Sequence, residues 1–291
     1  MKSKLDSTLK NSYGHLLNNK LAWIYDGIYP EWNRKFRSEF DQLHQLLKNK
    51  KGKDILEYGC GSGILLSLFE REGYNVTGVD HSKEVLQIAS KKTKAKLING
   101  DIRDLELKKK FDCIIIGSLV LCYMIEDEDV LKLLANAYKH LRDNGILYVS
   151  LMPCQRMTRT DGQAYYDPDK PNGSTYGMAN KTQNFFTGNT TQTWNIKKGF
   201  KITRFNECSS DIGDSAKYTW KSTYLLEKGK KLETFADTVT LRMFMLSEIK
   251  LFLDVAGFKS IKFQGNKMGT ILDWKKCDQS QSFLTLVAFK K

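Results

Sequence analysis

Proline is scarce in this 291-residue chain, occurring four times, so a Pro-rich linker between domains is not expected. None of the six cysteines, Cys60, Cys113, Cys122, Cys154, Cys208 and Cys277, forms a C-x-x-C pair. That spacing argues against a zinc site and against a disulfide framework. Several of these thiols fall in apolar stretches, as reduced cysteines packed as small hydrophobes do, which suits the cytoplasm. No apolar run is long enough to span a membrane, and the opening MKSKLDSTLKNSYGHLL lacks an apolar signal core. Carboxylates are the minority charge, 33 against 46 Lys and Arg, for a net charge of +13. Basicity of that size attracts nucleic acid, anionic membranes or acidic metabolites. Here the lysines are scattered, with short runs at Lys48-Asn49-Lys50-Lys51 and Lys108-Lys109-Lys110 beside predicted turns. A solvated surface is the simpler reading, and neither a nucleic-acid nor a membrane partner is expected.

What is present is a regular alternation. From Trp32 the apolar residues Phe36, Phe40, Leu43 and Leu47 recur at helical spacing, predicting an amphipathic helix that stops near Lys51-Gly52. Strands are predicted at 54–58, 74–80, 96–99, 111–116 and 146–151. Between them lie a helix carrying Leu65, Leu68 and Phe69, a helix capped by Ser82, and a helix from Asp127 to about Leu141 ended by Asn144-Gly145. Continuously apolar strands alternating with helices imply a parallel sheet covered on both faces. Residues 154–245 differ, being rich in Thr, Asn, Gly and aromatics. Tyr218, Trp220, Ser222 and Tyr224 alternate in one segment and Val239, Leu241 and Met243 in another, as in an antiparallel β insertion. A helix capped by Ser247, with Ile249, Phe252, Leu253 and Ala256 on one side, then leads to strands at 258–263 and 283–289. The expected architecture is α/β: a Rossmann-like, seven-stranded, mostly parallel sheet with helices on both faces and an antiparallel β insertion after the fifth strand. The core occupies 1–153 and 246–291, and the insertion 154–245.

Chemistry concentrates at strand ends. Glu57-Tyr58-Gly59-Cys60-Gly61-Ser62-Gly63 turns the first strand into a helix, and glycines there let a ligand approach the backbone closely. Asp80 ends the second strand, where a carboxylate can accept from both ribose hydroxyls of an adenosine cofactor without a 2′-phosphate. Asn99-Gly100-Asp101-Ile102 follows the third strand; Asp101 can take the adenine amino group while Ile102 packs on the ring. The glycine spacing is G-x-G-x-G rather than the dinucleotide G-x-G-x-x-G, and Glu57 would repel a pyrophosphate.

ILEYGCGSG, VTGVDHS, INGDIRDL, FDCIIIGS and LRDNGILYVSLMP together resemble class I S-adenosylmethionine (SAM)-dependent methyltransferases, over residues of about 22–153 and 246–290. The resemblance implies SAM as cofactor and S-adenosylhomocysteine as product. It assigns Glu57, Gly59, Cys60, Gly61 and Gly63 to the methionine and ribose, Asp80 to the ribose with His81 at the cofactor edge, Asp101 and Ile102 to the adenine, and Ser118 to the sulfonium. The lead-in Trp23-Ile24-Tyr25-Asp26-Gly27-Ile28-Tyr29 and the β insertion are similar to glycine and sugar N-methyltransferases, whose insertion forms a lid. Where the sugar enzymes carry a His after the fourth strand, this sequence has Tyr123, a candidate to orient the nucleophile or take its proton. Tyr25 and Trp32 would close over the cofactor, or staple the first helix to the sheet, and Tyr29 would reach the acceptor. Tyr165, Tyr166, Trp194, Trp220 and Arg242 would line the acceptor pocket, or simply pack the insertion. Among the histidines, His140 is expected on a surface helix, and His15 and His44 have no partner motif.

The implied activity is methyl transfer to an amine or hydroxyl of a small molecule. Alternatives are an RNA or protein methyltransferase and a SAM-binding subunit without turnover. Gly117-Ser118-Leu119-Val120 stands where base-modifying enzymes carry an N-P-P-Y-type tetrapeptide, and no RNA-binding module is visible. No metal is implied, and an exposed antiparallel edge in the insertion could pair two subunits.

Overall fold

The computed structural model describes residues 22, 30–151, 188–196, 199–211, 217–264, 271–272 and 284–290. The amphipathic helix α1 (Pro30–Leu47) precedes β1 (Asp54–Tyr58), α2 (Ile64–Arg71), β2 (Asn75–Asp80), α3 (Lys83–Ala89), β3 (Lys96–Asn99) and β4 (Phe111–Ile116). A 3-10 turn (Val120–Tyr123), α4 (Asp127–His140) and β5 (Leu141–Leu151) follow. After β6 (Gly188–Ile196), β7 (Phe200–Asp211), β8 (Lys217–Lys228) and β9 (Lys231–Arg242), the chain returns through α5 (Leu246–Val255), β10 (Ser260–Gln264), β11 (Ile271–Leu272) and β12 (Leu284–Phe289).

The main sheet has the order β11-β10-β12-β5-β4-β1-β2-β3. Its seven expected strands are extended at one edge by the two-residue β11. Strands β3, β2, β1, β4 and β5 run parallel, and β12 is antiparallel to both β5 and β10. The chain leaves β1 toward β2 and β3, then returns to β4 on the other side, which puts the topological switch at the carboxyl ends of β1 and β4. Side chains alternate across the sheet. Ile55, Cys113, Ile115 and Tyr148 face Phe40, Leu43 and Leu47 of α1 and Phe69 of α2. Leu56, Tyr58, Ile114 and Val149 face Leu133, Leu134 and Ala137 of α4 and Ile249 and Leu253 of α5.

Strands β6 to β9 form a separate antiparallel sheet in sequence order. Tyr218, Ser222 and Tyr224 alternate inward on β8 with Trp220 half-buried, and Val239 and Leu241 do so on β9. Tyr218, Val239 and Leu241 share a core cluster with Leu119, Leu121 and Met124, which joins the base of this sheet to the main one.

Three local expectations are corrected. Helix α4 ends at His140, within one residue of its expected end, but Asn144-Gly145 does not terminate it; Asn144, at φ 61°, instead lies in a bulge of β5 between the pairings of that strand with Phe111 and Cys113. Ser247 does not cap α5: Met245 is the N-cap, and Glu248 accepts from its amide at 3.1 Å. His140 is not on the surface: it is 1% exposed, held between Tyr58 and the Leu107 amide. Ser82 does cap α3, accepting from Val85 N at 3.2 Å. Among the described residues no helix is long and apolar enough to cross a membrane.

Candidate functional site

At the switch point an open pocket encloses about 930 Å3, counted out to its mouth. Its wall brings together Gly59, Cys60, Gly61, Asp80, His81, Asp101, Ile102, Ser118 and Tyr123, which sequence reasoning assigns, with Phe36, Ser62, Ile64, Gly100, Val120 and Met124, which it does not. Glu57 and Gly63 are not part of this wall; in sequence Gly63 falls between its residues Ser62 and Ile64, and Glu57 lies two residues before Gly59.

The glycine loop is shaped by steric necessity. Gly59 has φ 68°, and a Cβ there would meet Val120 Cγ2 at 2.5 Å, so the loop can approach the turn after β4 only without a side chain. Gly63 has φ 76°, and its Cβ would meet that of Ala89 at 2.9 Å, where α2 and α3 converge. The Cys60 amide donates to Val79 O at 3.0 Å, tying the loop to β2.

Asp80 organises the same loop. One carboxylate oxygen accepts from Gly61 N at 2.9 Å and the other from Ser82 N at 2.9 Å, with His81 Nδ1 at 3.5 Å. The side chain is 4% exposed and borders the pocket. A carboxylate has about four lone-pair sites, so it can accept further donors from a ligand. Asp101 is more heavily engaged. Arg103 donates to it from its backbone at 2.9 Å and from Nε at 3.0 Å, and also reaches Asp129 at 2.7 Å. The Arg103 guanidinium holds the Asp101 carboxyl below its usual range. Arg103 was not anticipated; its signal is a cation two residues past the acid in Asp101-Ile102-Arg103. Ile102 is positioned through its carbonyl, which accepts from Asn136 Nδ2 at 2.9 Å.

Past β4 the backbone is strained. Ser118 (φ 46°) and Leu119 (φ 69°) are consecutive non-glycine residues in the left-handed region, a conformation that costs of order 1–3 kcal/mol and clusters at functional sites. The turn is closed by Val120 N donating to Gly117 O at 3.0 Å. Ser118 Oγ is buried without a hydrogen-bond partner.

Glu57 is 3% exposed, and its Oε2 has no hydrogen-bond partner. Burial first, then the charges of Glu39 and Asp80, push its carboxyl well above the usual range. Glu39 on α1 is 5% exposed and was also missed. Its signal is an acid inside the apolar stripe Phe36, Phe40, Leu43 and Leu47.

The proposed acceptor residues are not gathered here. Arg242 is buried against α5, paired with Asp127 at 2.7 Å and with Glu248, donating to Ile125 O at 3.0 Å, its guanidinium 5.1 Å from the Phe244 ring centre. Its charge is paired within the fold, in keeping with the packing alternative of the two that the sequence leaves open. Trp220 donates to the Tyr218 hydroxyl and Trp194 stacks with Arg204 at 5.1 Å, both within the insertion sheet, and neither is in the wall of the pocket at the glycine loop. Tyr25, Tyr29, Tyr165 and Tyr166 lie outside the described residues, as does the side chain of Trp32. Among the described residues no cluster of three or more His, Cys, Asp or Glu is arranged to hold a metal.

A model of the methyltransferase domain matches residues 32–204. The chain is 29% identical over 131 residues to a dTDP-4-amino-2,3,4,6-tetradeoxy-D-glucose N,N-dimethyltransferase of Saccharopolyspora spinosa, covering 44% of this chain and 53% of the relative. It is 26% identical over 131 residues to a dTDP-3-amino-3,4,6-trideoxy-alpha-D-glucopyranose N,N-dimethyltransferase of Streptomyces venezuelae, covering 44% and 55%. The chain thus spans about half the length of the curated relatives it matches. In fold it is similar to an S-adenosylmethionine-dependent methyltransferase from Clostridium acetobutylicum, with TM-score 0.67 at 18% identity, covering 94% of this chain and 98% of that one.

Proposed function

The chain belongs to the methyltransferase-domain family, and from that premise we propose that it uses SAM to methylate a small-molecule acceptor, with an amine as the favoured nucleophile. The observation that carries this reading is the meeting of Asp80, Glu57 and the Gly59–Gly63 loop at the carboxyl ends of adjacent parallel strands, beside one pocket. A glycine whose Cβ would strike Val120 and a buried, unpartnered carboxylate oxygen on Glu57 fit a nucleoside bearing a cationic tail.

When bound, SAM supplies an electrophilic methyl group. The chain's own residues supply position and polarity. Asp80 would accept from the ribose hydroxyls, and Ile102 would pack on the adenine. Glu57 would balance the charge of the aminoacyl end. Ser118 and Tyr123, on the strained turn after β4, would face the reacting atoms. Phe36, Val120 and Met124 also line the pocket, and their apolar surfaces would limit water around the bound cofactor. An amine with a free lone pair needs little proton transfer, which suits a pocket wall where Asp101 is already held by Arg103. The amino-sugar substrates named for two relatives favour the same choice.

Incubation of the full chain with methyl-labelled SAM and a panel of amino-sugar nucleotides, simple amines, phenols and bulk RNA tests the proposal. Label is expected in a small amine. Label in RNA or protein alone, or binding of SAM without transfer to any acceptor, would contradict it.

A further inference from the structure

Helix α4 holds the loop after β3 at three points. Asp129 accepts from Arg103 Nη1 at 2.7 Å, Asn136 Nδ2 donates to the Ile102 carbonyl at 2.9 Å, and His140 Nε2 accepts from the Leu107 amide at 3.0 Å. Positions 129, 136 and 140 are seven and four residues apart, which places them on one helix face. Leu105 and Leu107 of the loop pack on the core cluster that contains Leu133, Leu134 and Ala137 of the same helix. Asn136 and His140 are buried anchors. Asp129, in the first turn, extends the hold toward the pocket, because its partner Arg103 also binds Asp101.

The Arg103 side chain forks between the two acids. Toward Asp101 its Nε donates to Oδ1 at 3.0 Å and to Oδ2 at 3.1 Å, and its Nη2 donates to Oδ2. The Arg103 amide donates to Oδ1 at 2.9 Å. Three hydrogens thus occupy a carboxylate with about four lone-pair sites. One acceptor site remains, on a side chain that is 40% exposed and borders the pocket. The guanidinium is planar, so fixing its far end on Asp129 also fixes the carboxylate it faces. It holds the Asp101 carboxyl below the usual range, so at neutral pH that group accepts and cannot donate. A carboxylate so placed takes one N–H from one direction and opposes a carbonyl oxygen in the same position.

Resting on the cofactor reading above, with Asp101 meeting the adenine amino group, we infer that Arg103 is a positioning residue for base selectivity: anchored on Asp129 of α4, it aims the last acceptor site of Asp101 at an exocyclic amine. Arg103 is not in the pocket wall and acts through Asp101, which is. Ile102, between them, is set by Asn136 of the same helix. Both side chains that would meet the base are therefore placed from α4.

Calorimetric titration of the full chain with S-adenosylhomocysteine and S-inosylhomocysteine tests this. The second compound carries a carbonyl oxygen in place of the amine. The wild type is expected to prefer the adenine compound by about tenfold or more, the scale of one hydrogen bond to a charged acceptor. Arg103→Leu should weaken S-adenosylhomocysteine by about that factor and leave S-inosylhomocysteine within about twofold. Asp129→Ala, which leaves Arg103 on Asp101 without its anchor, should lower the preference by about threefold. Retention of the full preference by either variant overturns the inference. Equal weakening of both compounds, as loss of packing alone would give, also overturns it. So does tighter S-adenosylhomocysteine binding by Arg103→Leu, since Arg103 would then compete with the base. If Arg103→Leu does not fold, Asp129→Ala decides. Equal affinity of the wild type for the two compounds overturns the inference while the cofactor reading stands. Failure of the wild type to bind either compound overturns both.

Discussion

The hydroxyl of Tyr58 lies 2.7 Å from Nδ1 of His140, and the Leu107 amide donates to Nε2 of the same ring at 3.0 Å. Because a backbone amide can only donate, Nε2 must be the acceptor nitrogen, and the neutral ring then carries its proton on Nδ1, directed at Tyr58. An imidazolium could not accept from Leu107. Burial, then Lys139 and Lys110, lower the His140 pKa from 6.5. The unfolded chain therefore binds the proton more readily than the folded one, and stability is full above about 6.5. It falls as pH drops from there through the lowered folded value. Melting curves between about pH 7.5 and pH 5 should show this acid loss in the wild type. His140→Ala should flatten the histidine contribution and cost about 3 kcal/mol at neutral pH, since a buried donor and a hydroxyl both lose their partner.

Gly59→Ala introduces a Cβ 2.5 Å from Val120 Cγ2 at a φ of 68°. Affinity for S-adenosylhomocysteine should fall by about tenfold or more, and stability by about 1–3 kcal/mol. Adding Val120→Ala removes the two closest contacts but leaves a Cβ–Cβ distance of 3.3 Å and the backbone strain, so it should recover only part of the loss. Full recovery in the double variant would show that neither φ at this position nor the remaining 3.3 Å contact matters.

Arg242→Met removes a buried cation held by Asp127, Glu248 and the Ile125 carbonyl. Asp127 is largely exposed and can rehydrate, so the cost should be about 2 kcal/mol rather than the 3–5 kcal/mol of a fully buried pair. Thermal melts should register it, while KM for the acceptor stays within about twofold. A selective rise in KM with unchanged melting would restore Arg242 to the acceptor site.

Tyr123 lines the pocket on the 3-10 turn beyond β4. With an amine acceptor, Tyr123→Phe should lower kcat by less than about tenfold and leave its pH profile unmoved. General-base catalysis is worth about 10²–10⁴-fold, so a larger fall with a shifted profile would point to a hydroxyl nucleophile.

The parallel core was legible because its signal is local: apolar strands of fixed length, a glycine loop, and acids at successive strand ends. The same period placed Tyr218 and Tyr224 on the inner face of β8. What escaped depends on partners distant in sequence. Glu39 reads as one charge on an amphipathic helix until Glu57 is brought beneath it. His140 reads as a polar residue at a helix end until Tyr58, 82 positions away, meets its ring. Arg242 looks available for an anionic ligand until α5 folds back to present Glu248. The cap of α5 was misplaced by two residues because Met245 has no polar side chain, and Glu248 alone secures its amide.

Cofactor binding is most directly tested by calorimetric titration of the ligand-free chain with SAM and S-adenosylhomocysteine, beside Asp80→Ala. Micromolar binding, weakened in the variant by about 2 kcal/mol or more, is the result predicted from removing charge-assisted hydrogen bonds to the ribose. No binding of either compound by the folded wild-type chain would contradict the account.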